Sequence, residues 1–160
     1  MIVIVEGPDG SGKSTLCKQL VDILGPACRY KHFSYPKDKQ EADNLLYTYN
    51  TYLQDSLSEG GNVVIDRMWP STMVYGEVLR GNPEITYKQA LEIEALLCEH
   101  AIMIYCTGDP EDMWHRCVER GEDYVTGFKD FYSICKKYDE VMLEQKHLIP
   151  VFTYTIPKEG

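Results

Sequence analysis

The stretch Gly7-Pro8-Asp9-Gly10-Ser11-Gly12-Lys13-Ser14-Thr15 decides how this chain folds. It follows the apolar run Met1-Ile2-Val3-Ile4-Val5 and precedes a helical pattern, Leu16-Cys17-Lys18-Gln19-Leu20-Val21. Strand, glycine-rich turn and helix form the setting of a phosphate-binding loop, and Gly7, Gly12, Lys13 and Ser14 match its G-x-x-x-x-G-K-[ST] pattern. Without side chains, the glycines let the backbone wrap closely and aim successive N–H groups at one point. The helix beginning near Lys13 adds the positive end of its dipole there. On this reading Gly7, Asp9, Gly10, Ser11, Gly12, Lys13, Ser14 and Thr15 bind ATP. Lys13 reaches the β- and γ-phosphates, and the Ser14 hydroxyl binds the Mg²⁺ that bridges them. The bland alternative is a glycine-rich connection without a ligand, and the flanking strand and helix argue against it.

Outward from the loop, the chain alternates strands and helices. Residues 2–5 read as a central strand buried on both faces. Residues 13–24 read as a helix ended by Gly25-Pro26, and Arg29–Phe33 as a second strand closed by Ser34-Tyr35-Pro36. After the lysine- and acid-rich stretch Lys37–Asp43, a long helix runs to about Ser58, with Leu45, Leu46, Tyr49, Leu53 and Leu57 on one side. Val63-Val64-Ile65 is a third strand, delivering Asp66-Arg67 at its end. Residues 71–80 read as helical. Thr86 and Gln89 form a capping-box signature for a helix to about Glu99. Ala101–Tyr105 is a fourth strand, and Asp109-Pro110-Glu111-Asp112 suits a helix start. Residues 125–146 read as one last long helix before a closing strand at 151–156. The expected fold is α/β, a three-layer sandwich around a five-stranded parallel sheet. It forms a single domain over 1–160.

The chain has 160 residues and a net charge of −9. That acidic balance argues against a general nucleic-acid binder, which needs a basic face. No apolar run approaches a membrane span and no secretory signal stands at the start, so a cytoplasmic protein is expected. The six cysteines (17, 28, 98, 106, 117 and 135) show no C-x-x-C spacing and no pairing with the four scattered histidines. They read as reduced, mostly buried thiols.

In parallel sheets with helices on both faces, ligands sit at the carboxyl ends of the strands. The loop, Tyr35-Pro36, Asp66-Arg67 and Thr107-Gly108-Asp109 all fall at that edge. Asp66 is either a cap on the following turn or a carboxylate beside the Mg²⁺. Arg67 is either surface charge or a planar fork for a second phosphate. Arg116 and Arg120, four apart on one helix face, are either a solvated charged face or the cations of a lid segment around 112–127 that closes on a transferring phosphoryl group. Of the twelve tyrosines, most belong to the core, and one or two could stack on a base. Asp9 either caps its turn or accepts a hydrogen bond from a sugar hydroxyl, since an acid would not be placed there to bind phosphate.

These residues resemble the thymidylate kinases among the P-loop nucleoside monophosphate kinases. The stretch IVEGPDGSGKST is similar to that family's E-G-x-D-G-x-G-K-S-T opening. VVIDRMWPSTMVYG is similar to its D-R-Y-x-x-S-x-x-A-Y segment, and Tyr35-Pro36 to its turn after the second strand. The resemblance covers most of the chain. It implies an ATP- and Mg²⁺-dependent kinase forming dTDP from dTMP, with a possible homodimer and only small-molecule nucleotides as partners. It implies that Asp9 binds the acceptor's 3′-hydroxyl, Arg67 holds its phosphate, and Ser71 and Tyr75 line the base pocket. It implies that Lys13, Ser14 and Asp66 handle ATP and metal. Gly10 stands where some members carry an arginine, which fits Arg116 and Arg120 as catalytic cations.

The chain also departs from the pattern. No arginine occurs between Arg29 and Arg67, so the family's base-reading arginine is absent, although Tyr47 or Tyr49 could stack. Lys37 or Lys39 stands in for an arginine near Pro36, and the expected Tyr-Gln-Gly is Tyr75-Gly76-Glu77. A compact viral or phage-type enzyme accepting several deoxynucleotides or a modified pyrimidine fits these changes. A deoxynucleoside kinase would need a general base after the second strand, where the chain has Phe33-Ser34-Tyr35-Pro36. A regulatory or non-catalytic nucleotide-binding protein of the GTPase type would need an N-K-x-D motif, which is absent.

Overall fold

The computed structural model describes residues 1–121 and 127–156. Strands β1 (Ile2–Glu6), β2 (Arg29–His32), β3 (Val63–Asp66), β4 (Ala101–Thr107) and β5 (Val151–Thr155) form one sheet in the order β2-β3-β1-β4-β5. Every pairing is parallel. The helices are α1 (Lys13–Leu24), α2 (Lys39–Asp43), α3 (Leu45–Glu59), α4 (Trp69–Arg80), α5 (Tyr87–Leu97), α6 (Pro110–Arg120) and α7 (Phe128–Asp139). The architecture is the α/β sandwich expected from the sequence.

The continuous apolar runs have the reason anticipated for them. Successive side chains of a strand point to opposite faces, and both faces here are covered. Ile2, Ile4, Val63, Ile65 and Met103 join a core with Leu53 of α3, Trp69 of α4, Ile93 of α5 and Tyr138 of α7. Val3, Val5 and Val64 join Cys17 of α1 on the other face, with Leu20 and Leu24 packed against them. The caps also hold. Thr86 Oγ1 accepts from the Gln89 N–H at 3.1 Å, and Gln89 Oε1 accepts from the Thr86 N–H at 2.9 Å. Asp109 accepts from the N–H groups of Glu111 and Asp112. Each such cap contributes about 1 kcal/mol.

The long helix expected from Asp43 to about Ser58 is α3, and the lysine- and acid-rich stretch before it forms the short helix α2, which Asp38 caps by accepting from the Glu41 N–H at 2.8 Å. Boundaries differ from the sequence reading at two places. The helix expected to reach Glu99 ends at Leu97 and continues as a 3₁₀ turn. The helix expected over 125–146 is α7 followed by a π-turn over Glu140–Glu144, with the Gln145 N–H reaching the Glu140 carbonyl at 3.0 Å. That wider turn buries Val141 and Met142 and brings His147 back beneath them.

His147 holds this junction. Its Nδ1 lies 3.1 Å from a Glu94 carboxylate oxygen and its Nε2 2.8 Å from the Val141 carbonyl. Both neighbours are acceptors, and only the protonated ring donates from both nitrogens, so the site favours the imidazolium. Burial opposes that charge, but the Glu94 hydrogen bond and charge and the Val141 carbonyl outweigh it and raise the pKa above 6.5. A group with a raised folded pKa stabilises fully below its unfolded value and loses that contribution as pH rises through the folded one. The urea midpoint of the wild type should therefore fall between pH 6 and pH 9 by more than that of His147→Gln. Parallel declines would show that His147 is not charged.

Candidate active site

The site is built where β1, β3 and α4 meet, at the point where the strand order reverses on either side of β1. The loop leaves β1 at Gly7 and enters α1 at Lys13. Two of its glycines admit no other residue. A Cβ on Gly7 (φ 152°) would stand 2.3 Å from the Cys106 carbonyl oxygen, and one on Gly10 (φ 79°) 2.3 Å from the Met113 carbonyl oxygen. The loop is thus clamped between the end of β4 and helix α6. Ser11 is wholly buried, while Ser14 and Thr15 are exposed on the first turn of α1.

Lys13 is 7 % exposed, and its Nζ donates to a carboxylate oxygen of Asp66. Asp66 also accepts from the Tyr30 hydroxyl at 2.9 Å and lies 3.3 Å from His32 Nδ1. Burial opposes the Asp66 charge, but the charge and hydrogen bond of Lys13, with help from Tyr30 and His32, hold its carboxyl below the usual range. Beside it, Arg67 adopts φ 73°, a left-handed conformation rare for a side-chain-bearing residue. Its Nη2 donates to Asp9 at 2.7 Å, and its Nη1 to the Gly7 carbonyl, Ser71 and Tyr138 at 2.9–3.1 Å. The strained turn is held by Glu6, which is fully buried. Glu6 accepts from the Met68 N–H at 2.7 Å, from the Ser71 hydroxyl at 2.6 Å and from the Tyr138 hydroxyl at 3.1 Å. Burial raises the Glu6 pKa, against the charge of Arg67 and these hydrogen bonds. Backbone strain held by surrounding structure concentrates where function needs a set geometry.

A cleft of about 480 Å³ opens beside these groups. Lys13, Ser14, Asp9 and Arg67 lie at one end. Tyr35, Pro36, Tyr49, Ser71 and Tyr75 also line it. Tyr49 is buried and shares a 2.8 Å hydrogen bond with Thr72. Tyr75 stands edge-on to Tyr35, with ring centroids 6.0 Å apart, and the Arg67 guanidinium lies 5.3 Å from its ring. Tyr47 is 73 % exposed and is not brought to the cleft. It precedes Tyr49 by two positions, and on a helix two positions turn a side chain to another face. Arg116 donates from Nη1 to the Gly10 carbonyl at 3.0 Å, so α6 carries it to the phosphate loop. Arg120 is exposed one turn further on. Met113 and Cys117 of the same helix are buried, and residues 122–126 of the expected lid lie outside the described residues.

Four residues of this neighbourhood escaped the sequence reading: Glu6, Tyr138, His32 and Arg80. Glu6 stands directly before the loop, and its position was the available signal. Tyr138 comes from α7, which no motif links to the loop. Arg80 lines the cleft, yet it follows Tyr75 by five residues, an offset of about 140° on an ideal helix.

The arrangement can hold a chain of phosphates at Lys13 and the loop, a second anion near Arg67, and an aromatic ring system at the tyrosine end. No cluster of three or more His, Cys, Asp or Glu among the described residues is placed to hold a metal. The buried thiols are chemically quiet, because burial pushes Cys17, Cys106 and Cys135 up to about 12. No helix among the described residues is long and apolar enough to cross a membrane.

The polyphosphate kinase 2 (PPK2) family model matches residues 1–139. The chain belongs to the PPK2 family. Within this P-loop kinase group it is 32 % identical over 144 residues to the SPβ prophage-derived protein YorR of Bacillus subtilis, covering 88 % of this chain and 81 % of YorR. The solved structure of YorR, in complex with phosphorylated GDP, superposes with a TM-score of 0.76 at 26 % identity, covering 97 % of this chain and 85 % of that one. Rat adenylate kinase isoenzyme 1 is 28 % identical over 131 residues, covering 76 % of this chain and 64 % of that protein. Deoxyadenosine kinase from M. mycoides shares the fold, with a TM-score of 0.65 at 17 % identity over 96 % of this chain and 90 % of that one. The PPK2-family chain therefore has the fold of a nucleotide kinase and relatives that are phosphotransferases.

Proposed function

We propose that this protein transfers the γ-phosphoryl group of ATP to a deoxynucleoside 5′-monophosphate, with dTMP the first candidate. The observation that carries the reading is the pair of cations at one end of the cleft, Lys13 buried and Arg67 part-buried. Lys13 lies at the phosphate loop and Arg67 at the end of β3, with an aromatic wall beyond them. One cation suits the donor's β,γ-phosphates, and the other suits an acceptor that already carries a phosphate. An acceptor phosphate oxygen attacks the γ-phosphorus in line, the bond from that phosphorus to the β,γ-bridging oxygen breaks, and ADP leaves. Catalysis of this kind is positioning and charge neutralisation. Lys13, Arg116 and Arg120 would supply the cations, and a site closed to water would favour the transfer. Asp9 would take the sugar hydroxyl, and Tyr49 or Tyr75 the base.

Mg²⁺ fits the donor set. The exposed Ser14 hydroxyl and the Asp66 carboxylate are hard oxygen ligands, and phosphates and water complete such a shell. The ion would supply further neutralisation of the phosphates. Lys13 would leave Asp66 for the donor, freeing a carboxylate oxygen. A homodimer remains part of the proposal through the family resemblance alone, and the prophage origin of YorR supports a compact phage-type enzyme.

A nucleoside acceptor is the weaker reading. It needs a carboxylate free to take a proton from the 5′-hydroxyl. Of the three carboxylates at the phosphate end, Asp9 and Asp66 are paired with Arg67 and Lys13, and Glu6 already accepts from Met68, Ser71 and Tyr138. The family name raises a second donor, inorganic polyphosphate, which the same loop would accept at its end. The net charge of −9 works against a long polyanion. The deciding experiment is an assay of product nucleotides with ATP, GTP or polyphosphate as donor, against dTMP, dUMP, dGMP, dAMP, dCMP and the matching nucleosides. Diphosphate formation from monophosphates with ATP is expected. Turnover of nucleosides alone would overturn the proposal.

A further inference from the structure

Arg80 occupies the last turn of α4, and Gly81 follows it in the left-handed conformation that ends the helix. Arg80 lines the cleft. Its guanidinium carbon lies 4.7 Å from the centroid of the Tyr35 ring, which itself meets Tyr75 edge-on. Its Nε lies 3.0 Å from Glu84 Oε1 in an ion pair. Glu84 is an unusual residue for a surface turn. Its φ is 62°, in a region that side chains rarely adopt, and the Asn82 side chain fixes it by accepting from the Glu84 N–H at 3.0 Å. The second carboxylate oxygen of Glu84 is buried without a hydrogen-bond partner among the described residues. A strained backbone and a half-satisfied buried carboxylate are together spent on placing one arginine at the mouth of the cleft.

Position along α4 says which part of a ligand Arg80 would meet. Ser71, bonded to Arg67, marks the phosphate end. Nine residues at about 1.5 Å each place Arg80 roughly 13 Å further along the helix axis, a separation on the scale of a nucleotide. The phosphate would thus meet Arg67, and the base would extend past Tyr75 toward Arg80. The sequence has no arginine between Arg29 and Arg67, and Arg80 brings one to the aromatic end from a different element.

We propose that Arg80, oriented by Glu84 and stacked on Tyr35, is the base-reading residue of the acceptor site and selects bases with a carbonyl on the edge it faces. A guanidinium only donates hydrogen bonds. Thymine and uracil offer O4 and guanine offers O6, whereas adenine and cytosine present amino groups there. An amino edge against Arg80 leaves donor facing donor. The acceptor class is therefore the keto-base monophosphates, dTMP, dUMP and dGMP, in preference to dAMP and dCMP. Glu84 is a positioning residue, acting through Arg80. This inference rests on the monophosphate-kinase reading for turnover, but the base preference can be read from binding alone.

The test compares wild type, Arg80→Ala, Arg80→Lys and Glu84→Gln in two measurements. One is kcat/KM with ATP for the five monophosphates, and the other is calorimetric binding of the same nucleotides without a donor. Circular dichroism confirms that each variant is folded. Wild type should favour the keto bases. Arg80→Ala should lower kcat/KM and affinity for them by roughly 10–100-fold, the range for losing a hydrogen bond to a charged group, and should leave dAMP and dCMP within a few-fold. Arg80→Lys should restore part of the preference, because it keeps the charge and loses the fork. Glu84→Gln should raise KM for keto acceptors with kcat little changed. Equal loss for all five bases on Arg80→Ala, or no keto preference in the wild type, overturns the inference. Absent turnover with a keto preference in binding that Arg80→Ala abolishes would overturn the kinase reading instead and leave the base reader standing.

Discussion

Lys13→Met is expected to lower turnover by about 10²–10³-fold, the effect of removing one preorganised group that stabilises developing charge. The structure adds a consequence that the loop motif does not carry. Lys13 is the main partner of buried Asp66, so its removal leaves a carboxylate with only Tyr30 and His32. Breaking a buried pair from one side costs about 3–5 kcal/mol, and these two neighbours move the expectation to the lower end. About 3 kcal/mol corresponds to a fall of roughly 10 °C in Tm for a chain of this size. Lys13→Met/Asp66→Asn removes both charges and should recover much of the stability while remaining inactive. The pH dependence follows with a definite sign. The folded pKa of Asp66 is lowered from 3.8, so its contribution is present above that value and lost as pH falls through the folded one. Wild type should lose stability on acidification more steeply than the double variant. Lys13→Met with near-normal turnover would remove Lys13 from the mechanism.

Arg67→Gln should weaken the acceptor far more than the donor. Truncating one side of a buried, hydrogen-bonded charge pair costs about 2–5 kcal/mol, or roughly 30- to 5000-fold in the acceptor's KM, with the KM for ATP within a few-fold of wild type. The same change leaves Asp9 and the Glu6–Ser71–Tyr138 cluster without their cation, so the variant should also melt earlier. Arg67→Lys is the needed companion. It keeps a positive charge facing Asp9 and Glu6, which favours folding, but loses the planar fork that binds a phosphate through two parallel bonds. A folded Arg67→Lys protein with impaired acceptor binding and intact ATP binding supports the assignment. Equal losses for both nucleotides in both variants contradict it.

Much of the architecture was legible because it rests on local rules. Apolar runs at 2–5, 63–65 and 101–105 mark strands covered on both faces, and the order of elements then leaves few ways to build the sheet. The Thr86–Gln89 and Asp109 caps were legible for the same reason, since each partner lies within three residues. The helix ends at Leu97 and Asp139 were not. They depend on side chains that pack from elsewhere, as His147 does when it returns to the Val141 carbonyl.

The candidate site divides in the same way. By itself the sequence determined the phosphate loop, since glycines, lysine and hydroxyl act through a backbone path that nine consecutive residues encode. It also placed Asp66-Arg67 at a strand end beside that loop. Only the tertiary structure decided what those residues touch. Asp66 neutralises Lys13 across 53 positions of sequence, and Glu6 and Tyr138 join Arg67 from the two ends of the chain. Tyr49 faces the cleft while Tyr47 faces solvent, and Arg80 stands at the aromatic wall in an ion pair with Glu84 that a helical projection does not show. Loop geometry is a property of consecutive dihedrals. Charge pairing and pocket shape are properties of distances between segments, and those exist only once the chain is packed.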